Sequence, residues 1–279
     1  MTEYIRKLLI DNKDLIDQGN FEEVYNRSRI GFRPELTTIF KHCNIDPFTD
    51  ARKIFEYAYY EYEEDQIDVD SSVEYIDSNA FRSAHVDTIN LPASVITINP
   101  RAFFDCKVSH VNFVDNGQQL RILDDAFCKC KNLETLNLPS NCKVISDFAF
   151  EDSGLRNFNL PQNLEFLGAY AFQKTGLLEI TIPKTIQLIG NAPFRDCYSL
   201  RKIYCPESLK TTTMFRSLIS GLNEYTVIEW YWTMNKQVSD VIINNQDLIN
   251  NNEFQELYSR LHDTSYSKEL TEILLRAGI

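Results

Sequence analysis

The side chains with the greatest capacity for chemistry are scattered. Four histidines (His42, His85, His110, His262) and seven cysteines (Cys43, Cys106, Cys128, Cys130, Cys142, Cys197, Cys205) are spread through 279 residues. Cys128-x-Cys130 resembles half of a zinc site. A tetrahedral set needs a second pair or a histidine at matching spacing, and neither follows. No metal and no cofactor is therefore expected. An odd cysteine count also argues against a closed disulfide framework. There is no Gly-x-Ser-x-Gly, no P-loop and no Gly-x-Gly-x-x-Gly. His110 has no predicted acidic partner beside it, so catalysis is not expected either.

The net charge of −12 and the isoelectric point near 4.9 are acidic. Such a chain is poorly suited to phosphate-backbone binding, which Lys and Arg drive by releasing counterions. The acidic run at residues 61–70 is short for a mimic of nucleic acid. No stretch reaches the ~18 apolar residues of a membrane span. The first fourteen residues interrupt their apolar runs with charge and carry no secretory signal. A cytoplasmic location is the expectation.

The elements that would position these side chains are repeated. From residue 67 to 206 one phrase recurs six times: an aliphatic residue, three others, then Ala-Phe. The Ala falls at 80, 102, 126, 149 and 171, and the sixth pair, Pro193-Phe194, aligns through Ala192, so that the gaps are 22, 24, 23, 22 and 21. The aliphatic residues are Ile76, Ile98, Ile122, Ile145, Leu167 and Leu188. Three after each Phe sits a small residue: Ala84, Cys106, Cys130, Ser153, Thr175 or Cys197. A strand-like run follows, as in Leu133-x-x-Leu136-x-Leu138, with its last two apolar residues on one face. A fixed period in this range marks stacked units that bury their apolar faces against one another.

These units resemble the leucine-rich repeats of the BspA-like type, which share the Ile-x-x-x-Ala-Phe, Cys and Leu-x-x-Ile-x-Leu-Pro elements. The resemblance implies an α/β repeat fold, a solenoid of about six units. It also implies a binding scaffold without a catalytic motif, in a family whose members are often secreted. In this reading Cys106, Cys130 and Cys197 share one packing slot, as small apolar side chains.

Between the two strand positions sits an outward residue. In successive units it is Asp68, Asn90, Asn112, Asn137, Asn159, Thr181 and Tyr204. Flanking it are Thr88, His110, Thr135, Asn157, Glu179 and Lys202. Asparagine amides in a row can simply hydrogen-bond one another along a sheet. Alternatively the row is a polar strip for recognising a partner, since exposed solenoid surfaces commonly bind.

Helical modules are predicted at both ends. Residues 1–45 read as helices, with Asn20 and Glu23 spaced as a capping box. Residues 46–66 read as an aromatic capping helix whose acidic end should fray. Residues 207–236 read as a helix and a closing strand, with Trp230 and Trp232 on one face. Residues 237–279 duplicate residues 10–45: Phe254-Gln-Glu-Leu-Tyr258-Ser-Arg260 matches Phe21-Glu-Glu-Val-Tyr25-Asn-Arg27. About 36 residues cannot bury an independent core. Each copy must pack on something: the solenoid, a second copy of the chain, or a partner.

The function expected is a non-enzymatic protein-binding scaffold presenting the polar sheet. Two other readings fit the same sequence. One is an assembly component of a phage or cell-surface body that forms homo-oligomers through the terminal modules. The other is an acidic intracellular inhibitor of a nucleic-acid-processing enzyme.

Overall fold

The computed structural model describes residues 2–42, 53–54, 58–59, 61, 63–115, 117, 119–231, 238, 241–242, 244–245, 248–249, 253–260 and 267–276. The chain forms two compact units, Met1–Trp230 and Tyr231–Ile279.

The Ala-Phe corner builds the first unit. Ala80, Ala102, Ala126, Ala149 and Ala171 are fully buried, because the next corner lies directly on them. The backbone locks corner to corner: Phe81 N donates to Ala102 O at 2.7 Å, Phe103 N to Ala126 O at 2.8 Å and Phe127 N to Ala149 O at 2.7 Å. The rings stack in the same sequence. Phe81, Phe103, Phe127, Phe150, Phe172 and Phe194 have successive centroids 4.8, 4.6, 5.3, 5.0 and 5.6 Å apart. The small slot closes the turn: Cys130 Sγ donates to Phe103 O and Cys197 Sγ to Phe172 O, both at 2.9 Å. Each corner turns through non-glycine residues with positive φ, for example Arg101 at 61° and Asp105 at 55°.

Two expectations are corrected here. The helix predicted over residues 46–66 is not what the described part of that stretch forms. Lys53–Ile54 is a strand, β1, and Glu63–Asp68 is another, β2. Ile54, Ala58 and Tyr59 occupy the Ile, Ala and Phe slots of an earlier unit. Tyr59 N donates to Ala80 O at 2.7 Å, and its ring stacks on Phe81 at 4.6 Å and 1°. Stacking against the next corner outweighs the local helical pattern. The second correction is one of register. Leu167 pairs with Ile189, and Phe172 N donates to Pro193 O at 2.8 Å. Pro193 therefore fills the Ala slot and Ile189 the aliphatic slot. Leu188 stays 53 % exposed.

Two parallel walls result. One is a continuous seven-stranded sheet running from β1 through the strands that hold Ile76, Ile98, Ile122, Ile145, Leu167 and Ile189. The opposite wall carries the outward strip and is divided. Four strands, β2 with His85–Leu91, His110–Phe113 and Thr135–Asn137, make one sheet. Glu179–Thr181, Lys202–Pro206 and Val227–Tyr231 make another.

The helices close the ends. Four of them, α1 (Glu3–Asp11), α2 (Lys13–Asp17), α3 (Phe21–Arg27) and α4 (Arg33–His42), form the amino-terminal module. Asn20 caps α3 by accepting from Glu23 N at 3.3 Å. Ile5, Leu8, Val24, Tyr25, Leu36 and Phe40 join the solenoid's own core, so this module is the cap of the first turn. At the other end α5 (Thr213–Ile219) is capped by Thr212. Ala192 N donates to Ser217 O at 2.9 Å, which ties α5 to the last corner. The strand Val227–Tyr231 covers the open edge of the sheet, as expected. Trp230 packs against Phe215 at 5.0 Å; Trp232 lies outside the described residues. The second unit has its own apolar cluster of Val238, Val241, Leu248, Ile249, Leu257, Leu270 and Leu274. Its described helices are α6 (Phe254–Ser259) and α7 (Ser267–Arg276).

Candidate binding surface

The outward strip exists over the first four strands. Asp68, Asn90, Asn112 and Asn137 lie in register on neighbouring strands, flanked by Thr88, His110 and Thr135. The amides form a directed chain: Asn112 Nδ2 donates to Asn90 Oδ1 at 2.8 Å, and Asn90 Nδ2 donates to Asp68 Oδ1 at 2.5 Å. The Asn90 donor, helped by Gln66, holds the Asp68 carboxyl below the usual carboxylate range. His110 Nδ1 lies 2.7 Å from Thr135 Oγ1. Over Asp68, Asn90 and Asn112 the side chains thus satisfy one another, and the strip is partly structural.

The strip then breaks. Asn157 and Asn159 belong to no strand and are exposed. Thr135–Asn137 and Glu179–Thr181 therefore each pair on one side only. The slot that holds Ile89, Val111, Leu136, Ile180 and Ile203 in other units holds Phe158 here. Its ring wedges between Phe150 and Phe172, at 5.7 and 5.3 Å and tilted 45° to both. The larger ring sits at the storey where strand pairing lapses, and there Leu178 N still donates to Arg156 O at 3.2 Å. Beyond the break Glu179 and Thr181 face Lys202 and Tyr204 in register. Lys202 Nζ pairs with Glu229 at 2.7 Å, and this contact raises the lysine's pKa.

At the break the surface opens into a polar cavity of about 630 Å3, lined by Ser109, Lys131, Asn132, Glu134, Gly154, Arg156 and Asn157. Gly154 sets its floor. A Cβ there would lie 2.3 Å from Lys131 O, so only glycine allows this approach. Lys131 Nζ reaches Asp152 at 3.3 Å. Among the described residues no hydrogen bond or ion pair engages the Arg156 guanidinium, which is exposed. With Lys131 paired to Asp152, Arg156 is the cation at this cavity that no described carboxylate engages.

Sequence reasoning found Asn157 and Asn159 but not Ser109, Lys131, Asn132, Glu134 or Arg156. The signal that could have marked them is Phe158, the one aromatic residue in its slot. A second cluster was also illegible: Asp125, Cys128 and Glu151 come from adjacent corners, their ligand atoms within 4.8 Å of one another. Both carboxylates already have cations, Asp125 with Arg101 at 3.1 Å and Glu151 with Lys174 at 3.6 Å. Burial, then Glu151, pushes the Cys128 thiol up to about 12. The cluster joins adjacent corners through ion pairs. The side chain of His42 and all of His262 lie outside the described residues.

Among the described residues no helix is long and apolar enough to cross a membrane. No curated protein matches the chain significantly. Solved structures that resemble it include bacterial leucine-rich repeat proteins. A leucine-rich repeat protein from Bacteroides ovatus superposes with a TM-score of 0.56 at 21 % identity, covering 64 % of this chain and 45 % of that one. A leucine rich cell surface protein from Faecalibacterium prausnitzii gives a TM-score of 0.44 at 20 % identity, covering 55 % and 50 %. The chain thus spans half or less of the length of these two relatives. The profile of the BspA type leucine rich repeat region matches in six copies, over residues 16–121, 52–177 and 120–229. With that match over most of its length, and with the stacked corners that carry it, the chain belongs to the BspA-type leucine-rich repeat family.

Proposed function

We propose that this protein is a non-enzymatic scaffold that binds a protein partner through its outward sheet. The recognition centre in this reading is the break at Asn137, Arg156, Asn157 and Asn159, with Glu179, Thr181, Lys202 and Tyr204 extending the contact. The observation that carries it is the contrast along one strip. Asp68, Asn90 and Asn112 spend their hydrogen bonds on each other, whereas Arg156, Asn157 and Asn159 at the break are exposed, with no side-chain hydrogen bond to another described residue. Arg156 suits a carboxylate on the partner, because its planar fork gives two parallel hydrogen bonds. The two strand edges bordering the break suit an extended backbone, which adds to a sheet by main-chain bonding. The partner chemistry is thus an extended segment with an acidic side chain.

The test is affinity capture with the full chain, run beside three variants: Arg156→Glu, the pair Asn157→Asp with Asn159→Asp, and Thr88→Ala as a control on the tied part of the strip. A protein recovered by the wild type and by Thr88→Ala should fall at least ~10-fold in the other two, the scale of one lost charge-assisted contact. Undiminished recovery with all three would remove the break as the binding centre.

A further inference from the structure

The helical module occurs twice, and the first copy shows how the module docks. In that copy Arg27 donates to Asn12 Oδ1 at 2.7 Å and to Glu23 Oε1 at 2.9 Å, while Asn12 Nδ2 donates to Leu8 O at 2.8 Å. The second copy repeats the arrangement residue for residue. Arg260 donates to Asn245 Oδ1 and, at 3.3 Å, to Glu256 Oε1; Asn245 Nδ2 donates to Val241 O at 2.7 Å. A hydroxyl pair also recurs: Tyr25 Oη lies 3.0 Å from Thr37 Oγ1, and Tyr258 Oη lies 2.6 Å from Thr271 Oγ1.

The two copies differ in what covers that pair. Tyr25 and Thr37 are fully buried, and both hydroxyls donate to Ala58 O at 2.9 Å. Ala58 is the corner of the first solenoid turn, with no earlier corner among the described residues to stack on it. In the second copy Thr271 is exposed and its hydroxyl donates to Ser267 O at 2.9 Å. The same Arg–Asn–Glu brace holds this face in shape, but here the Thr271 hydroxyl turns back onto its own helix.

We propose that the carboxy-terminal module is a docking head for the bare first turn of another Ala-Phe solenoid. Tyr258 and Thr271 would donate to the corner carbonyl equivalent to Ala58 O, with Thr271 turning away from Ser267. The partner is defined by chemistry: a repeat of this type whose first corner is uncapped. The first corner of this chain is itself held by residues 1–42, which makes it a usable probe when partly released.

The experiment is sedimentation of the full chain with Tyr25→Phe and Thr37→Val. These changes keep the apolar bulk and remove both donors to Ala58 O. Each lost bond weakens docking of the tethered module by about 10-fold. With a tethered effective concentration of order 1 mM, an untouched Tyr258–Thr271 head on a second chain then competes at about 10 μM. Association with a midpoint near that value is expected, while the wild type stays monomeric at ~100 μM by the same arithmetic. Adding Tyr258→Phe and Thr271→Val should abolish it. A folded double variant that stays monomeric at ~100 μM overturns the proposal. Association that survives the two added changes also overturns it, since another surface would be responsible. If circular dichroism shows the double variant unfolded, Thr37→Val alone takes its place, with a midpoint near ~100 μM and the same two refuting outcomes.

Discussion

Replacing a central ring of the corner stack should cost more than replacing the last one, although both are fully buried. Phe103 has ring neighbours on both sides, Phe81 at 4.8 Å and Phe127 at 4.6 Å, within 4° of parallel. Phe194 has Phe172 alone, at 5.6 Å and 18°. A Phe→Leu change at either site loses a similar apolar contact, about 1 kcal/mol for a swap of near-equal size. Each ring pair adds roughly 0.5–1.5 kcal/mol beyond area burial. Phe103→Leu should then cost about 3 kcal/mol and Phe194→Leu about 2 kcal/mol. With a urea slope of about 3 kcal/mol/M, the two midpoints should differ by roughly 0.3 M. Urea unfolding followed by far-UV circular dichroism, with the slope checked for constancy, reads that difference. Equal midpoints, or a larger loss at Phe194, would refute nearest-neighbour ring stacking as the source and leave shape and volume in its place.

Further outcomes follow from the corners and the strip. Asp68 has a depressed folded pKa, so its contribution to stability is present above its unfolded value of about 3.9 and is lost as pH falls through the folded value. Asn90→Ala should raise the Asp68 pKa toward ~3.9, read by carboxyl carbon NMR; an unchanged titration would dissociate the shift from that amide. Ser83 has a φ of 55° and is half-buried. Ser83→Gly should stabilise by about 0.5–1 kcal/mol and Ser83→Val should destabilise, with the reverse order in urea unfolding counting against corner strain. Burial pushes the Cys106 and Cys142 thiols up to about 12, and Cys130, fully enclosed, also rises. The six described cysteines are all free and buried, and at pH 8 they should react with an aromatic disulfide reagent only after denaturant is added. Reaction of any of the six in the native state would mean that its corner opens locally.

The repeated corner was legible because one residue type recurs wherever the stack demands it. Ala fits where a backbone lies on it, and Phe fits where rings pile up. The first unit escaped notice because Tyr59 replaces Phe and because the aromatic run around it also has helical spacing. The Pro193 register escaped because Ala192, one residue early, offered the expected letter. The break in the strip was illegible for a different reason. Leu155-x-x-Phe158-x-Leu160 satisfies the strand pattern, and only the facing rings of Phe150 and Phe172 make the extra bulk matter. The cavity residues sit in loops of neighbouring units, where sequence spacing says nothing about convergence. The duplicated modules were visible as letters, but their docking face was not, since Ala58 O is a backbone atom.

The divided wall also has a mechanical meaning. The seven-stranded wall is an unbroken spine, bonded at every storey from Lys53–Ile54 to Leu188–Ile189. The opposite wall is cut at one storey, where Phe158 stands. Among the described residues no strand ladder crosses the cut, where Leu178 N donates to Arg156 O at 3.2 Å and Gly154 N to Cys130 O at 3.0 Å, whereas stretching the spine would break ladder bonds at every storey. The solenoid is therefore tied by fewer strand ladders on the cut wall than on the spine. The ring planes are nearly parallel at 1° between Tyr59 and Phe81 and fan to 18° between Phe172 and Phe194. Whatever seats in the cut would act as a wedge and set the curvature of everything beyond it.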